Sequence, residues 1–191
     1  MADADESAAD VALSKAIAHA LRHQPSRYGL TLAQDGSVEI EDLAAGLARV
    51  GDRHSAVTPD DVQRVSGLPG KQRFAIDGTR IRAHYGHSAS QHVPKPLITP
   101  PGQLFHATSP RALAAVLAEG LRPMRRQYVH LGATEAIALE AGRRRDPEAV
   151  LLAIDVASAL RAGVVFREGH GEITLADAVP AEHLSVCPAT A

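Results

Sequence analysis

A chain of 191 residues with net charge −2, 45% hydrophobic content, 3% aromatics and no Trp has room for one domain or two small ones, with aliphatic cores of modest size. A single cysteine, Cys187, excludes an intramolecular disulfide and a zinc cluster built from thiolates, and a reducing cytoplasm is the expected location. The first ten residues, MADADESAAD, hold four acids, no base and no apolar run, which predicts a disordered acidic tail over 1–10 and neither a signal peptide nor a membrane span. Without that tail the remainder carries +2, too little for a surface that coats duplex DNA nonspecifically.

Residues 11–92 read as a first lobe. In LSKAIAHALRH, Ser14 is the expected N-cap, and Leu13, Ile17, Ala20 and Leu21 recur at helical spacing as one apolar stripe. Lys15, His19, Arg22 and His23 fall on the other side, so the helix has a core face and a cationic face. Asp35-Gly36 is a turn before a short strand, Val38–Ile40, and residues 41–50 form a helix with Leu43, Leu47 and Val50 inward. Thr58-Pro59-Asp60-Asp61 opens a third helix, with a capping hydroxyl, Pro at the first position and acids on the first turn. Gly67-Leu68-Pro69-Gly70 closes it.

The segment RFAIDGTRIRA has the strongest hairpin signal in the chain. With Asp77-Gly78 as the loop, Phe74 faces Ile81, Ala75 faces Arg80 and Arg73 faces Arg82. Arg73, Arg80 and Arg82 then share one face. Like charges opposed across a hairpin destabilise it by up to about 1 kcal/mol, a cost that a bound anion would offset. Three helices and a terminal hairpin predict a winged-helix-like lobe. Arginines also cluster at Arg122, Arg125 and Arg126 and at Arg143, Arg144 and Arg145, which favours a defined anionic ligand over a broad polyanion surface.

Residues 93–102, rich in proline, read as a linker. From 103 to 191 strands and helices alternate: strand Gln103–Thr108, helix Pro110–Glu119, strand Tyr128–Ala133, helix Thr134–Arg145 and strand Ala149–Asp155. Short strands follow near Val164–Phe166, Ile173–Leu175 and His183–Val186. The chain is therefore expected to be an α+β protein of two lobes. No GxGxxG follows a strand, so a Rossmann site is excluded, and no carboxylate or thiolate cluster suggests a metal.

Taken in order, LSKAIAHALRH, KQRF, IRAHYGHS, FHATS and PMRRQYVHLG resemble the signatures of the NAD-dependent RNA 2′-phosphotransferases, over roughly residues 11–187. The resemblance implies a winged-helix lobe followed by an ADP-ribosyltransferase-like lobe with a split β-sheet. It implies a two-step reaction with NAD as co-substrate. The 2′-phosphate of an RNA, in the family a tRNA splice junction, attacks the ribose carbon that bears nicotinamide. The ribose 2″-hydroxyl then attacks phosphorus, leaving 2′-hydroxyl RNA and ADP-ribose 1″,2″-cyclic phosphate. The family's catalytic Arg-His-Arg-Arg set falls on Arg22, His23, Arg73 and Arg126. Its NAD contacts fall on His106, Thr108, Ser109 and His130. Ala107, Tyr128, Gly132 and His84-Tyr85 depart from the family's pattern, and they bear on the NAD and RNA contacts.

The expected partner is thus a 2′-phosphorylated RNA, handled by a monomer away from membranes and without metal. Two other outcomes are open. One is an ADP-ribosyltransferase that leaves ADP-ribose on a nucleic-acid phosphate or other acceptor. The other is a winged-helix regulator, disfavoured because PDDVQRVS opens with two acids and is a poor groove reader.

Overall fold

The computed structural model describes residues 7–50, 56–68, 72–88 and 92–188, which divide into two units, Met1–Pro94 and Lys95–Ala191. Helices and two antiparallel sheets make it an α+β protein. In the first unit, α1 (Ala8–Arg22), α2 (Ile40–Val50) and α3 (Pro59–Ser66) pack on a three-stranded sheet of β1 (Ser37–Glu39), β2 (Phe74–Asp77) and β3 (Arg80–Ala83), in the order β1-β3-β2. Leu13, Ile17, Ala20 and Leu21 of α1 meet Leu43, Leu47, Val62, Phe74 and Ile81 in one core, so the helical stripe read from the sequence is the buried face.

Helix α1 starts at Ala8, capped by Ser7, whose hydroxyl accepts from the Asp10 amide at 3.1 Å. Ser14 is not the cap but a buried residue inside the helix. Asp10 adds a negative charge to the first turn and an ion pair to Arg64 at 2.8 Å, which extends the helix into the acidic segment expected to be disordered. Residues 1–6 of that segment lie outside the described residues.

The hairpin forms, but two residues away from the expected register. Phe74 pairs with Ala83, Ala75 with Arg82, Ile76 with Ile81 and Asp77 with Arg80. The loop is therefore Gly78-Thr79, not Asp77-Gly78. Gly78 sits at φ +58 while Thr79 keeps a negative φ, the pattern of a Gly-X loop that matches strand twist. A shift of two keeps every side chain on its expected face. It does remove Arg73 from opposite Arg82: the Arg73 carbonyl instead accepts from the His84 amide at 3.1 Å. Arg80 is held by Glu39 and Ser37, and Arg82 pairs with Asp35 at 3.4 Å, so these two arginines are balanced by acids and not by an anion shared with Arg73. Helix α3 opens as read, with Thr58 and Asp61 completing a capping box; Pro69 and Gly70, expected to help close it, lie outside the described residues.

The second unit holds a six-stranded antiparallel sheet in the order β7-β8-β5-β4-β6-β9. Its strands are β4 (Leu104–Thr108), β5 (Val129–Gly132), β6 (Val150–Ile154), β7 (Phe166–Glu168), β8 (Ile173–Ala176) and β9 (Leu184–Val186). Helices α4 (Pro110–Glu119), α5 (Glu135–Arg143) and α6 (Val156–Arg161) connect them. Leu104, Val129, Leu131, Leu152, Ile154 and Phe166 fill the core. Part of the expected linker belongs to this fold. The Ile98 amide donates to Phe166 and the Glu168 amide to Pro96, so residues 96–98 run along β7 and satisfy an edge that would otherwise be open.

Candidate active site

In the first unit the predicted residues gather at the end of α1. Arg22 is the last helical residue and His23 the C-cap, where a cation meets the negative end of the helix. The Arg22 guanidinium lies 6.0 Å from the Phe74 ring centre and 5.5 Å from that of Tyr85, and it donates to the Arg73 carbonyl at 3.2 Å. Arg73 in turn donates to the Ser14 hydroxyl at 3.1 Å. The His23 ring meets the Ser88 hydroxyl through Nδ1 at 2.7 Å, and the Ser88 amide donates to the Arg22 carbonyl at 2.8 Å. Nearby, His19 Nδ1 and the Tyr28 hydroxyl are 3.0 Å apart, and the His19 and His23 rings are 5.9 Å apart. The fold thus brings the Arg22 guanidinium to the backbone of Arg73, some fifty residues away in sequence, and the Arg73 guanidinium to the same helix at Ser14.

In the second unit, period-two alternation puts His106 and Thr108 of β4 on one face and Phe105 and Ala107 on the other. The His106 ring donates from Nδ1 to the His130 carbonyl at 3.0 Å, and the His130 ring donates from Nδ1 to the Tyr128 carbonyl at 3.1 Å. A carbonyl only accepts, so both rings carry their proton on Nδ1 and, when neutral, leave Nε2 as an acceptor. Burial holds the His106 imidazole below its usual pKa; its bond to the His130 carbonyl opposes this, and the charges of Arg145 and Arg126 reinforce it. Arg126 therefore lies within electrostatic reach of His106. It closes a turn, its amide donating to the Pro123 carbonyl at 3.0 Å. The same turn holds Met124 at φ +57 and 87% exposed, a left-handed conformation unusual for a side chain of this kind.

Thr108 ends β4, and Ser109 is the N-cap residue of α4 by its backbone, with a hydroxyl that makes no capping bond. Three of the departures have packing explanations. A Cβ built on Gly142 of α5 would come within 2.6 Å of the Ala107 methyl, so that methyl fills the notch of a glycine on the face away from His106. Gly132 is crowded by the first turn of α5, where an added Cβ would lie 3.0 Å from the Ala138 amide nitrogen. Tyr128 is buried beneath Arg167, whose guanidinium is 5.5 Å from its ring and is clamped by Asp177. Among the described residues no group of three or more His, Cys, Asp or Glu could hold a metal ion.

The sequence reading missed Ser14, Tyr85 and Ser88 as neighbours of the cationic set, and it gave Arg145 no part beside His106. Ser88 stands in a quoted motif, but its partner lies 65 residues away and no local pattern announces the pair.

The family model for RNA 2′-phosphotransferase, Tpt1/KptA family, matches residues 8–178. A protein of Acetivibrio thermocellus named "Probable RNA 2′-phosphotransferase" is 38% identical over 172 residues, covering 90% of this chain and 94% of its own. Proteins of the same name from Streptomyces coelicolor and Thermococcus kodakarensis are 41% and 35% identical, each over 91% of this chain and 93% and 95% of their own.

Proposed function

The chain belongs to the RNA 2′-phosphotransferase, Tpt1/KptA family, and on that premise we propose that it removes a 2′-phosphate from RNA by transferring it to the ADP-ribose part of NAD. The products are 2′-hydroxyl RNA, nicotinamide and ADP-ribose 1″,2″-cyclic phosphate. The observation that carries this reading is the grouping of Arg22, His23 and Arg73 at the end of α1. A terminal phosphate carries nearly two negative charges at neutral pH, and planar guanidinium forks bind its oxygens bidentately. Each such bond contributes on the order of 1.5–3 kcal/mol. Arg126 of the second unit is assigned to the catalytic set on its motif.

The donor set beside His106 suits a ribose. A neutral imidazole with Nδ1 committed to a backbone carbonyl presents Nε2 as an acceptor for a sugar hydroxyl, and Thr108 and Ser109 add hydroxyls. NAD supplies the electrophilic ribose carbon and its leaving group; the chain's own residues hold and orient. The first unit reads as winged-helix-like, from three helices and the β2–β3 hairpin, and the second as ADP-ribosyltransferase-like, from its six-stranded antiparallel sheet. We read the protein as a cytoplasmic monomer acting on 2′-phosphorylated RNA, with a spliced tRNA as the family's form of that substrate. Among the described residues no helix is long and apolar enough to cross a membrane.

A groove-binding role is disfavoured. Asp61 of α3 is engaged in its capping box, and its arginine, Arg64, is paired to Asp10 and Asp61. The test is to incubate the protein with a 2′-phosphorylated RNA oligonucleotide, with and without NAD. Loss of the phosphate only with NAD supports the reading, whereas a stable ADP-ribosyl adduct as the sole product would favour the transferase alternative.

A further inference from the structure

Ser88 contacts two adjacent members of the cationic set at once. Its backbone amide donates to the Arg22 carbonyl at 2.8 Å, satisfying one of the acceptors that a helix end leaves open. Its hydroxyl lies 2.7 Å from Nδ1 of His23, the next residue. The same segment carries Tyr85, stacked on the Arg22 guanidinium. With backbone and side chain both engaged, Ser88 has little freedom to leave the ring, and the ring has little freedom to turn.

We propose that Ser88 is the positioning residue of His23, accepting the Nδ1 proton so that the proton His23 gives up is the one on Nε2. As an acid, His23 carries a proton on each ring nitrogen, and in that state Nδ1 has only a donor to offer the serine oxygen. When the ribose hydroxyl oxygen bonds to phosphorus, the bond from phosphorus to the RNA 2′-oxygen breaks. The Nε2 proton of His23 passes to that departing oxygen, and the attacking hydroxyl releases its own proton to solvent. His23 is left neutral with its proton on Nδ1 and the Ser88 bond intact. The ring therefore keeps one orientation through the transfer. The His19 ring lies 5.9 Å from it, with Tyr28 behind His19. Ser88 meets Nδ1 directly.

The destination of the proton rests on the phosphotransferase reading, but the state of the ring does not. Nitrogen NMR of the whole protein without substrate reads the His23 tautomer in the parent, Ser88→Ala and Ser88→Thr. The parent and Ser88→Thr are expected to hold neutral His23 as the Nδ1–H form, and Ser88→Ala to revert to the Nε2–H form that unconstrained imidazole favours. An Nε2–H ring in the parent, or a Ser88→Ala ring identical to the parent's, overturns the proposal. In turnover with NAD, Ser88→Ala should lose roughly tenfold in final product formation, with adduct formation nearly kept and Ser88→Thr restoring the rate. Equal slowing of both steps, with a lowered melting temperature, would mark Ser88 as merely structural and likewise overturn it. A parent that holds the Nδ1–H ring yet removes no phosphate would instead count against the phosphotransferase reading.

Discussion

Arg73 donates a hydrogen bond to the hydroxyl of Ser14, a residue 3% exposed on the core side of α1. A serine so placed would ordinarily weaken the helix interior, because its hydroxyl competes with the backbone. Here it fixes one edge of the Arg73 guanidinium. Ser14→Ala is expected to leave the melting temperature within a few degrees of the parent and to slow phosphate removal roughly tenfold, because the fork is no longer aimed. Rates and melts of the one variant check both halves.

Arg73→Ala should cripple phosphate removal by about tenfold to a hundredfold, the loss of one charge-assisted bond, while the fold stands. The observed register puts Ala75, not Arg73, opposite Arg82, so no relief of repulsion is expected and the melt should neither rise nor fall by more than a few degrees. A variant with parental activity would remove Arg73 from the set.

Ala107 and Gly142 form a size-matched pair. Gly142→Ala should destabilise by about 1–3 kcal/mol, because its new methyl falls 2.6 Å from that of Ala107. Adding Ala107→Gly should recover part of this, the 3.0 Å approach to Ala149 remaining, and denaturant titration of the four proteins measures the coupling. Additive effects would mean the two methyls do not meet.

His106 links stability to pH with a definite sign. Its folded pKa is lowered, chiefly by burial, so below the ordinary histidine value of 6.5 the unfolded chain binds a proton that the folded chain does not. Stability contributed by the neutral ring is present above that value and is lost as pH falls through it, by at most about 1.4 kcal/mol per pH unit. His106→Gln should therefore flatten the acid side of a stability–pH curve measured from pH 7.5 to 5. A variant curve as steep as the parent's would place the acid sensitivity elsewhere.

The elements that local chemistry punctuates were legible in the sequence. Ser109-Pro110 and Gly120 bound α4 where the pattern put it, and the Thr58 hydroxyl caps α3 as expected. The start of α1 was hidden because its cap, Ser7, sits in a segment whose acidic composition reads as disorder. Helix α6 was missed because six residues are too few for a helical period to show beside the apolar run of β6. The hairpin's faces were legible and its register was not: Asp77-Gly78 and Gly78-Thr79 are both good loops, and the pairing of Arg80 with Glu39 on β1 is a tertiary contact. Of the candidate site, the charged residues were assigned from motifs alone. Ser14 and Ser88 could not be assigned so, since each acts on a partner distant in sequence.

In the proposed reaction the two chemical steps make unequal demands on the cations. In the first, an anionic phosphate meets a positively charged leaving group, so part of the attraction lies in the reactants. In the second, a neutral hydroxyl attacks phosphorus and negative charge builds on its oxygens, where fixed guanidiniums stabilise the transition state more. Weakening one cation should slow the second step more than the first.

A time course on end-labelled 2′-phosphorylated RNA with saturating NAD, resolved by mass, tests the assignment most directly in the parent, His23→Ala and Arg126→Ala. The parent should yield 2′-hydroxyl RNA and a cyclic phosphate, and the variants should accumulate RNA that carries ADP-ribose on its 2′-phosphate. No NAD-dependent loss of phosphate in the parent, or slow product without that species in both variants, would contradict it.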